Sequence, residues 1–433
     1  MRKKVINRWI TMLCIISVFL CWVGGVSWGQ KVELVYSYWG STVEKEAVET
    51  MINEFNRLQP NIKAKGLHIP QNYAMKLQTM IAAGNAPDVM KMMQNSFRDW
   101  ADRNAYLELN PFLDEDPDVS LETWARVKVE NYTVDGKFYG VSGCLEPLLI
   151  FYRQDLFDEA GVSYPPAEEP WTWDEFLSAA KKLTKEEGGQ ITQFGVETAN
   201  RWLINASYIL ANGGRLFNES VTESLLAEPE AIEALQKLVD LELKYRVDPQ
   251  SRFLQLIGAG SLEALGTGRV AMLMEGHWVL GDLAKMEFPL DIGVIPKMKD
   301  FTYLDVSSTT VISKDTKHPK EAWELFKHAN IAASGIVPLC KYGIWVPSVK
   351  NLLFTPEGRQ LWLTEGMHPP HFVEAVLATV LHATRTPATL TAGMEEIIGK
   401  VLTPTFDKIW LGEISVEKGM EEAALMINEI LAR

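Results

Sequence analysis

Hydrophobic positions in the first part of the chain switch repeatedly between the periods of strands and helices. Residues 31–40, KVELVYSYWG, alternate apolar and polar side chains and are rich in β-forming types, which predicts a strand. Residues 41–60 show helical spacing that a proline ends. A second strand and helix precede the apolar strand DVMKMM at 88–93. This alternation predicts an α/β fold with a parallel sheet covered by helices.

The first candidate binding residues are those that directly follow the predicted strands. In open α/β sheets, ligands bind beyond the carboxyl ends of the strands. Trp39, Ser41 and Thr42 follow the first predicted strand, and Gln94 and Asn95 follow the third. We therefore expect these side chains at one rim of the sheet.

The later pattern adds strands, turns and helices. TVDGKFYGVSG (133–143) predicts a hairpin turning at Asp-Gly, and LLIFYRQDLFDEAGV (148–162) a buried strand that runs into a helix. Thr172 or Asp174 caps the next helix. Helices are expected to dominate 190–290, and the tail from 371 onward is expected to be helical.

The segment GRVAMLMEGHW (268–278) predicts a short strand that stops at a bend and leaves a large aromatic ring there. Trp278 has two interpretations. It packs in the core, as most tryptophans do, or it is a ligand platform beside Gly276, where a backbone without a side chain permits close approach.

The amino terminus has the pattern of a secretory signal peptide. Residues 1–29 contain basic positions, then about sixteen nearly uncharged ones, then Ser27 and Gly29 as the small residues of a cleavage site. A membrane anchor and a lipoprotein are weaker interpretations, because the apolar run is short and small residues do not precede its cysteines. We therefore predict an exported protein that begins at Gln30.

Composition excludes some partners. The 433 residues carry a formal net charge of -14, which disfavours nucleic acid and anionic membrane surfaces. The chain contains 14 tryptophans, enough for some rings to be exposed for binding while others pack in the core. Beyond the signal segment only Cys144 and Cys340 remain, and the sequence leaves open whether they form a disulfide.

The sequence contains none of the strong catalytic signatures. GxSxG, HExxH and Walker motifs do not occur. HPPH (368–371) is interpreted as a turn and LDEDPDVS (113–120) as a solvated acidic loop, so no metal or other cofactor is predicted. With 56 carboxylates, a glycosidase-type acid pair stays possible without any pair being singled out.

Several segments together resemble the extracellular solute-binding proteins that feed carbohydrates to ABC importers, the group that includes maltose-binding protein. They occur in the same order across nearly the whole chain after the signal segment: AAGNAPDVM (82–90), DGKFYGV (135–141), LIFYRQDLFDEAGV with WTWDEFLSAAKKLT (149–184), ANGG (211–214), GTGRVAMLMEGHW (266–278), DIGVIPKM (291–298) and TVISKDTKHPKEAWELFKH (310–328).

This resemblance implies a two-lobed periplasmic-binding-protein fold, type II-like, with a ligand cleft between lobes that crossing hinge segments join. The N-lobe would comprise 31–146 plus 301–334, and the C-lobe 147–300 plus 335–433. It further implies a monomer without a cofactor that delivers a sugar to membrane permease subunits, and the tryptophan count favours an oligosaccharide.

The resemblance also assigns roles to individual residues. Trp278 would stack on a sugar ring, Trp345 would add a further stacking surface, and Glu146 would be a sugar-binding carboxylate. The position of Trp39 at the rim leaves two interpretations, an aromatic surface for the ligand or core packing. Trp202 lies in a region that contacts sugar in the maltose relative.

Further polar contacts are expected around these rings. Gln94 and Asn95 stand where the family often has ligand-binding polar residues, and Ser307 stands where relatives have residues near the ligand. Glu275 and His277 flank Trp278 and could reach a sugar hydroxyl.

Two alternative functions stay open. A receptor of the same fold for another polar solute, such as a glycerol phosphodiester or a polyamine, differs only in cargo. An anionic cargo would require basic residues at the rims, whereas the named residues are neutral or acidic. A secreted carbohydrate-active enzyme would instead cleave glycans.

Overall fold

The computed structural model describes residues 31–198, 200–249, 260–306 and 308–433, so the predicted signal segment 1–29 and Ser307 lie outside the described residues. Its strands are β1 (Val32–Tyr38), β2 (Ile62–His68), β3 (Val89–Met92), β4 (Thr133–Val134), β5 (Lys137–Phe138), β6 (Gly140–Val141), β7 (Cys144–Leu145), β8 (Leu148–Arg153), β9 (Lys185–Glu187), β10 (Gln190–Thr198), β11 (Val270–Gly276), β12 (Leu290–Val294), β13 (Tyr303–Leu304), β14 (Thr309–Ile312), β15 (Val346–Pro347) and β16 (Ala383–Thr384).

Helices cover these strands and form most of the tail. They are α1 (Thr42–Leu58), α2 (Tyr73–Ala82), α3 (Gln94–Asp102), α4 (Asn110–Glu115), α5 (Arg126–Asn131), α6 (Gln154–Ala160), α7 (Trp173–Leu183), α8 (Trp202–Ala211), α9 (Pro229–Leu243), α10 (Ser261–Gly266), α11 (Leu280–Leu283), α12 (Pro319–Asn330), α13 (Ala333–Lys341), α14 (Lys350–Phe354), α15 (Pro356–Gln360), α16 (Phe372–Leu381), α17 (Met394–Glu396), α18 (Thr403–Trp410) and α19 (Val416–Leu431). Short helical turns cover Leu121–Thr123, His277–Val279, Pro387–Thr389 and Ile397–Leu402.

The first sheet has the strand order β2-β1-β3-β14-β6. Its first three strands are parallel, as the sequence predicts, while β14 runs antiparallel to both β3 and β6. Helix α1 begins where expected because the Ser41 hydroxyl accepts the backbone N–H of Glu44, whose carboxylate accepts the N–H of Ser41 in return. The parallel strands therefore end together at the predicted rim.

The second sheet has the order β12-β8-β11-β10-β9 and is buried on both faces. In β8, Leu149 and Phe151 lie in a core shared with the first sheet, whereas Ile150 and Tyr152 lie in a separate core on the other face. The prediction of mainly helix between 190 and 290 missed β10, whose early residues Gln190 and Gln193 weaken its apolar pattern.

The predicted crossing segments between the sheets are confirmed. The chain passes from the first sheet to the second through β7, returns through β13, and leaves the first sheet again through β15. β7 and β15 pair in antiparallel fashion, with Leu145 opposite Val346, and β13 pairs in parallel with β16. The crossing segments are thus hydrogen-bonded to other segments at the junction of the two sheets.

Helix α13 bears on the predicted lobe limits. It packs along α1, which covers the first sheet, and the limit proposed between 334 and 335 falls inside it. The lobe limit stays a prediction, and this packing is relevant to it because α1 covers the first sheet.

A buried ion pair ties α5 to the crossing segments. The Lys128 ammonium lies 3.0 Å from the Asp305 carboxylate, and both side chains are fully buried. Asn131 donates to the same carboxylate at 2.7 Å and accepts the backbone N–H of Thr386 at 3.0 Å. This network joins one helix to the chain after β13 and after β16.

Removing the Lys128 ammonium should destabilise the fold strongly. Lys128→Met leaves the buried Asp305 carboxylate without its counter-charge, which typically costs about 3–5 kcal/mol of the free energy of unfolding. Urea denaturation measures this loss. The control is Lys65→Met, which removes the exposed ion pair with Glu33 and should change stability little. A loss for Lys128→Met as small as for the control would contradict a structural role for the buried pair.

Candidate functional site

Two tryptophans and a lysine meet where the first sheet ends. Trp39 follows β1 directly, and Lys91 is the third residue of β3. The Lys91 ammonium lies 4.6 Å from the ring centroid of Trp39 and 4.4 Å from that of Trp345, so it interacts with both aromatic rings. Lys91 and Trp345 are buried, whereas Trp39 is partly exposed. Of the two rings, Trp39 offers the more accessible surface.

Glu146 stands between the two sheets, directly after β7, and connects to this aromatic pair. Its carboxylate accepts a hydrogen bond of 2.7 Å from the indole N–H of Trp345. Burial raises the pKa of the Glu146 carboxyl, and the charges of Lys91 and Lys128 with the Trp345 bond offset part of that rise. Trp345 therefore holds Glu146 in place in this conformation.

Trp278 lies over the backbone at the end of β11. A Cβ atom added to Gly276 would come within 2.0 Å of the Trp278 ring, so only glycine permits this placement. The ring is partly exposed and packs against the cores on both faces of the second sheet. Trp278 is therefore anchored by packing while it keeps some accessible surface.

A second cation stands at this tryptophan. The Arg201 guanidinium lies 5.7 Å from the Trp278 ring centroid and 3.3 Å from the carboxylate of Glu275, which is almost fully buried. Burial raises the pKa of Glu275, and Arg201 partly offsets the rise. Arg201 is half-exposed, and Trp202 follows it as the partly buried first residue of α8. Trp278, Glu275 and Arg201 thus form one polar and aromatic cluster.

Two buried acids lie behind this cluster at the end of β10. Glu197 accepts a hydrogen bond from the Ser261 hydroxyl, and burial raises the pKa of Glu197 to about 7. Asp248 accepts the backbone N–H of Thr198 at 2.9 Å, and its pKa is raised by burial. Two carboxyl groups with raised pKa, Glu197 and Asp248, therefore lie at this end of the second sheet.

Helix α3, which begins at this rim of the first sheet, also contacts the tail. The hydroxyl of Ser96 donates to Glu395 at 2.7 Å, and the side chain of Gln78 contacts the same oxygen at 3.3 Å. The backbone N–H of Gly393 donates to Asp99 at 2.9 Å. Side chains near the rim of the first sheet thus contact α17 and the residue that precedes it.

The structure brings several predicted site residues together. Trp39, Trp345 and Glu146 form one connected group, and Trp278 and Glu275 form another. Ser41 caps α1, Thr42 is its exposed first residue, Gln94 and Asn95 are partly buried on the first turn of α3, and Ser307 lies outside the described residues.

Sequence reasoning missed the two cations. It expected neutral or acidic rims, yet Lys91 and Arg201 each lie on a tryptophan and near a carboxylate, Glu146 and Glu275 respectively. A lysine inside the apolar strand VMKM was a signal that could have been used. Arg201 carries no comparable local signal, because its partner lies more than seventy residues away.

Within the residues that the structure describes, Cys144 and Cys340 are buried and free. Across the same residues, His, Cys, Asp and Glu form no group of three or more that could hold a metal ion. None of the helices described is long and apolar enough to span a bilayer.

The profile of a family described as "Bacterial extracellular solute-binding protein" matches residues 39–330. An uncharacterised lipoprotein of Streptomyces antibioticus is 25% identical over 378 residues, covering 84% of this chain and 79% of that protein. An arabinooligosaccharide-binding protein of Halalkalibacterium halodurans is 22% identical over 295 residues, covering 66% of this chain and 64% of that protein.

Solved structures share the fold over nearly the full chain. An ABC substrate-binding protein from Listeria monocytogenes in complex with cycloalternan has a TM-score of 0.82 at 26% identity and covers 93% of this chain and 100% of that one. The sugar-binding protein MalE from Xanthomonas citri has a TM-score of 0.78 at 19% identity, covering 93% and 98%. The predicted two-lobed α/β architecture is thereby confirmed.

The raised pKa of Glu197 predicts a distinctive pH dependence of stability. The folded protein holds the Glu197 proton more tightly than the unfolded chain does, so this contribution is lost as the pH rises from about 4.5 to about 7. Between pH 5 and pH 8, the wild type should lose about 2–3 kcal/mol relative to Glu197→Gln in urea denaturation. Glu187→Gln, at an exposed position of β9, is the control and should follow the wild type. Parallel curves for wild type and Glu197→Gln would contradict the assignment.

Proposed function

Because the chain belongs to the bacterial extracellular solute-binding protein family, we propose that it captures a saccharide between its two lobes and delivers it to an ABC importer. The observation that carries this proposal is the Trp278 ring, seated on Gly276 beside the Arg201–Glu275 pair. The proposed site also contains Trp39 and Lys91 from the first sheet and Glu146 from the crossing segment that follows β7.

This combination of groups suits a sugar. The C–H faces of a sugar ring are apolar and its edges carry hydroxyls, so an aromatic plane takes a face while charged and amide side chains take the edges. One ring face contributes on the order of 1.5–3 kcal/mol, whereas a micromolar ligand needs about 8 kcal/mol. A second partly exposed tryptophan, Trp39, and several hydrogen bonds are therefore part of the proposal.

The relatives favour a saccharide over the other cargoes considered. The protein of Halalkalibacterium halodurans is named for arabinooligosaccharides, and the Listeria monocytogenes protein is bound to cycloalternan. Each cation at the site stands near a carboxylate, which leaves less net positive charge for an anionic cargo. We propose an oligosaccharide as the cargo of this chain.

The proposed cycle is capture and release without chemical change. The protein acts as a monomer with ABC permease subunits as its partners, it uses no cofactor, and it is exported after removal of residues 1–29. We propose lobes of 31–146 plus 301–341 and 147–300 plus 342–433, with the second limit moved because α13 packs on α1.

Truncating the proposed platform should abolish most of the affinity. Trp278→Ala removes one stacking face and should weaken binding about 10- to 150-fold, measured by calorimetric titration with a saccharide first identified by thermal shift across a panel. At 100 times its dissociation constant, a ligand adds roughly 2.7 kcal/mol of stability, which makes such a screen sensitive.

Trp171→Ala is the control for this experiment. Trp171 is also partly buried against the core of the second sheet but precedes α7, away from the site. It should leave affinity unchanged. If Trp278→Ala instead unfolds the unliganded protein, Trp278 is a core residue and the platform is refuted. Cleavage of the saccharide by purified protein would contradict a receptor.

A further inference from the structure

His277 lies between Gly276 and Trp278 and has no access to a ligand. Its side chain is fully buried, which corrects the expectation that it could reach a sugar hydroxyl. The ring packs against Phe372 of α16 at 5.2 Å between centroids. A buried polar ring at this position requires a reason, because an apolar side chain would fill the same space without an unpaired nitrogen.

The backbone N–H and the ring atom Nδ1 of His277 both contact the segments that cross between the two sheets. Its backbone N–H donates to the carbonyl of Pro147 at 2.8 Å, and its ring atom Nδ1 lies 3.0 Å from the carbonyl of Ile344. A carbonyl oxygen only accepts, so Nδ1 carries the proton and donates. Pro147 directly follows Glu146, and Ile344 directly precedes Trp345.

The surroundings keep this donor in place. Burial and the neighbouring His368 lower the pKa of His277 to about 3, so the ring stays neutral at ordinary pH. His368 is the titratable group that acts most directly on it, and Nδ1 of His368 accepts the backbone N–H of Thr364 at 2.9 Å. The single Nδ1 proton is therefore committed to Ile344.

We propose that His277 is a positioning residue that fixes the Trp278 ring relative to Glu146 and Trp345 by bonding the two crossing segments that carry them. This inference rests on the proposed function only for its effect on saccharide affinity. The geometric statement, that the His277 ring sets the position of Trp278, holds for the unliganded protein as well.

The test compares a substitution of His277 that keeps a side-chain N–H donor with one that removes it. In His277→Asn, the amide nitrogen can take the place of Nδ1 and donate to Ile344, whereas His277→Leu fills the space and leaves that buried carbonyl unpaired. We expect affinity to fall about tenfold or more in the leucine variant and to stay within about threefold of wild type in the asparagine variant. His368→Leu is the control and should bind as wild type.

A second measurement needs no ligand. With 5-fluorotryptophan incorporated, the fluorine resonance of Trp278, assigned by its loss in Trp278→Phe, should shift in His277→Leu and remain in place in His277→Asn. If the wild type binds no saccharide, the proposed function fails while this resonance still decides the inference. An unmoved resonance in His277→Leu, or equal loss of affinity in both variants, would overturn it.

The wild type alone supplies a last check if the leucine variant does not fold. Nitrogen-15 spectra of the histidine side chains should show His277 with its proton on Nδ1. A proton on Nε2 would exclude the bond to Ile344 and overturn the inference.

Discussion

The pairing of the crossing segments is the constraint on which the proposed site depends. Leu145 lies opposite Val346 in the β7–β15 ladder, and this register places Glu146 beside Trp345, although about two hundred residues separate them. The indole–carboxylate bond then follows from the register. The end of β11 is attached to the same junction through His277. A site contributed by two sheets is thus assembled where the chain passes between them.

Charge at the site is compensated locally. Lys91 lies between two indole rings with Glu146 near it, and Arg201 lies on the third ring with Glu275 near it. A buried carboxylate is costly without a counter-charge, and a cation on an aromatic face gains from the ring quadrupole. The arrangement places donors and acceptors next to apolar faces, as a neutral polyhydroxylated ligand requires.

Sequence patterns predicted the local elements well and the long-range contacts poorly. The parallel order of β1, β2 and β3 follows from periodicity, and Thr172 caps α7 as one of two candidates expected. The prediction for Trp278 follows from a glycine and a tryptophan that stand together where a strand ends. Lys91 and Arg201 are not predicted because they contact rings distant in the chain. The packing of α13 on α1 is not predicted because almost three hundred residues separate the two helices.

A crystal structure of the protein with the saccharide that stabilises it most would test the central claim most directly. The account predicts an intact saccharide between the two sheets, with one sugar ring stacked on the indole of Trp278 and a hydroxyl within hydrogen-bonding distance of Glu146. A saccharide bound on the outer surface of either sheet, with Trp278 and Glu146 untouched, would contradict the account.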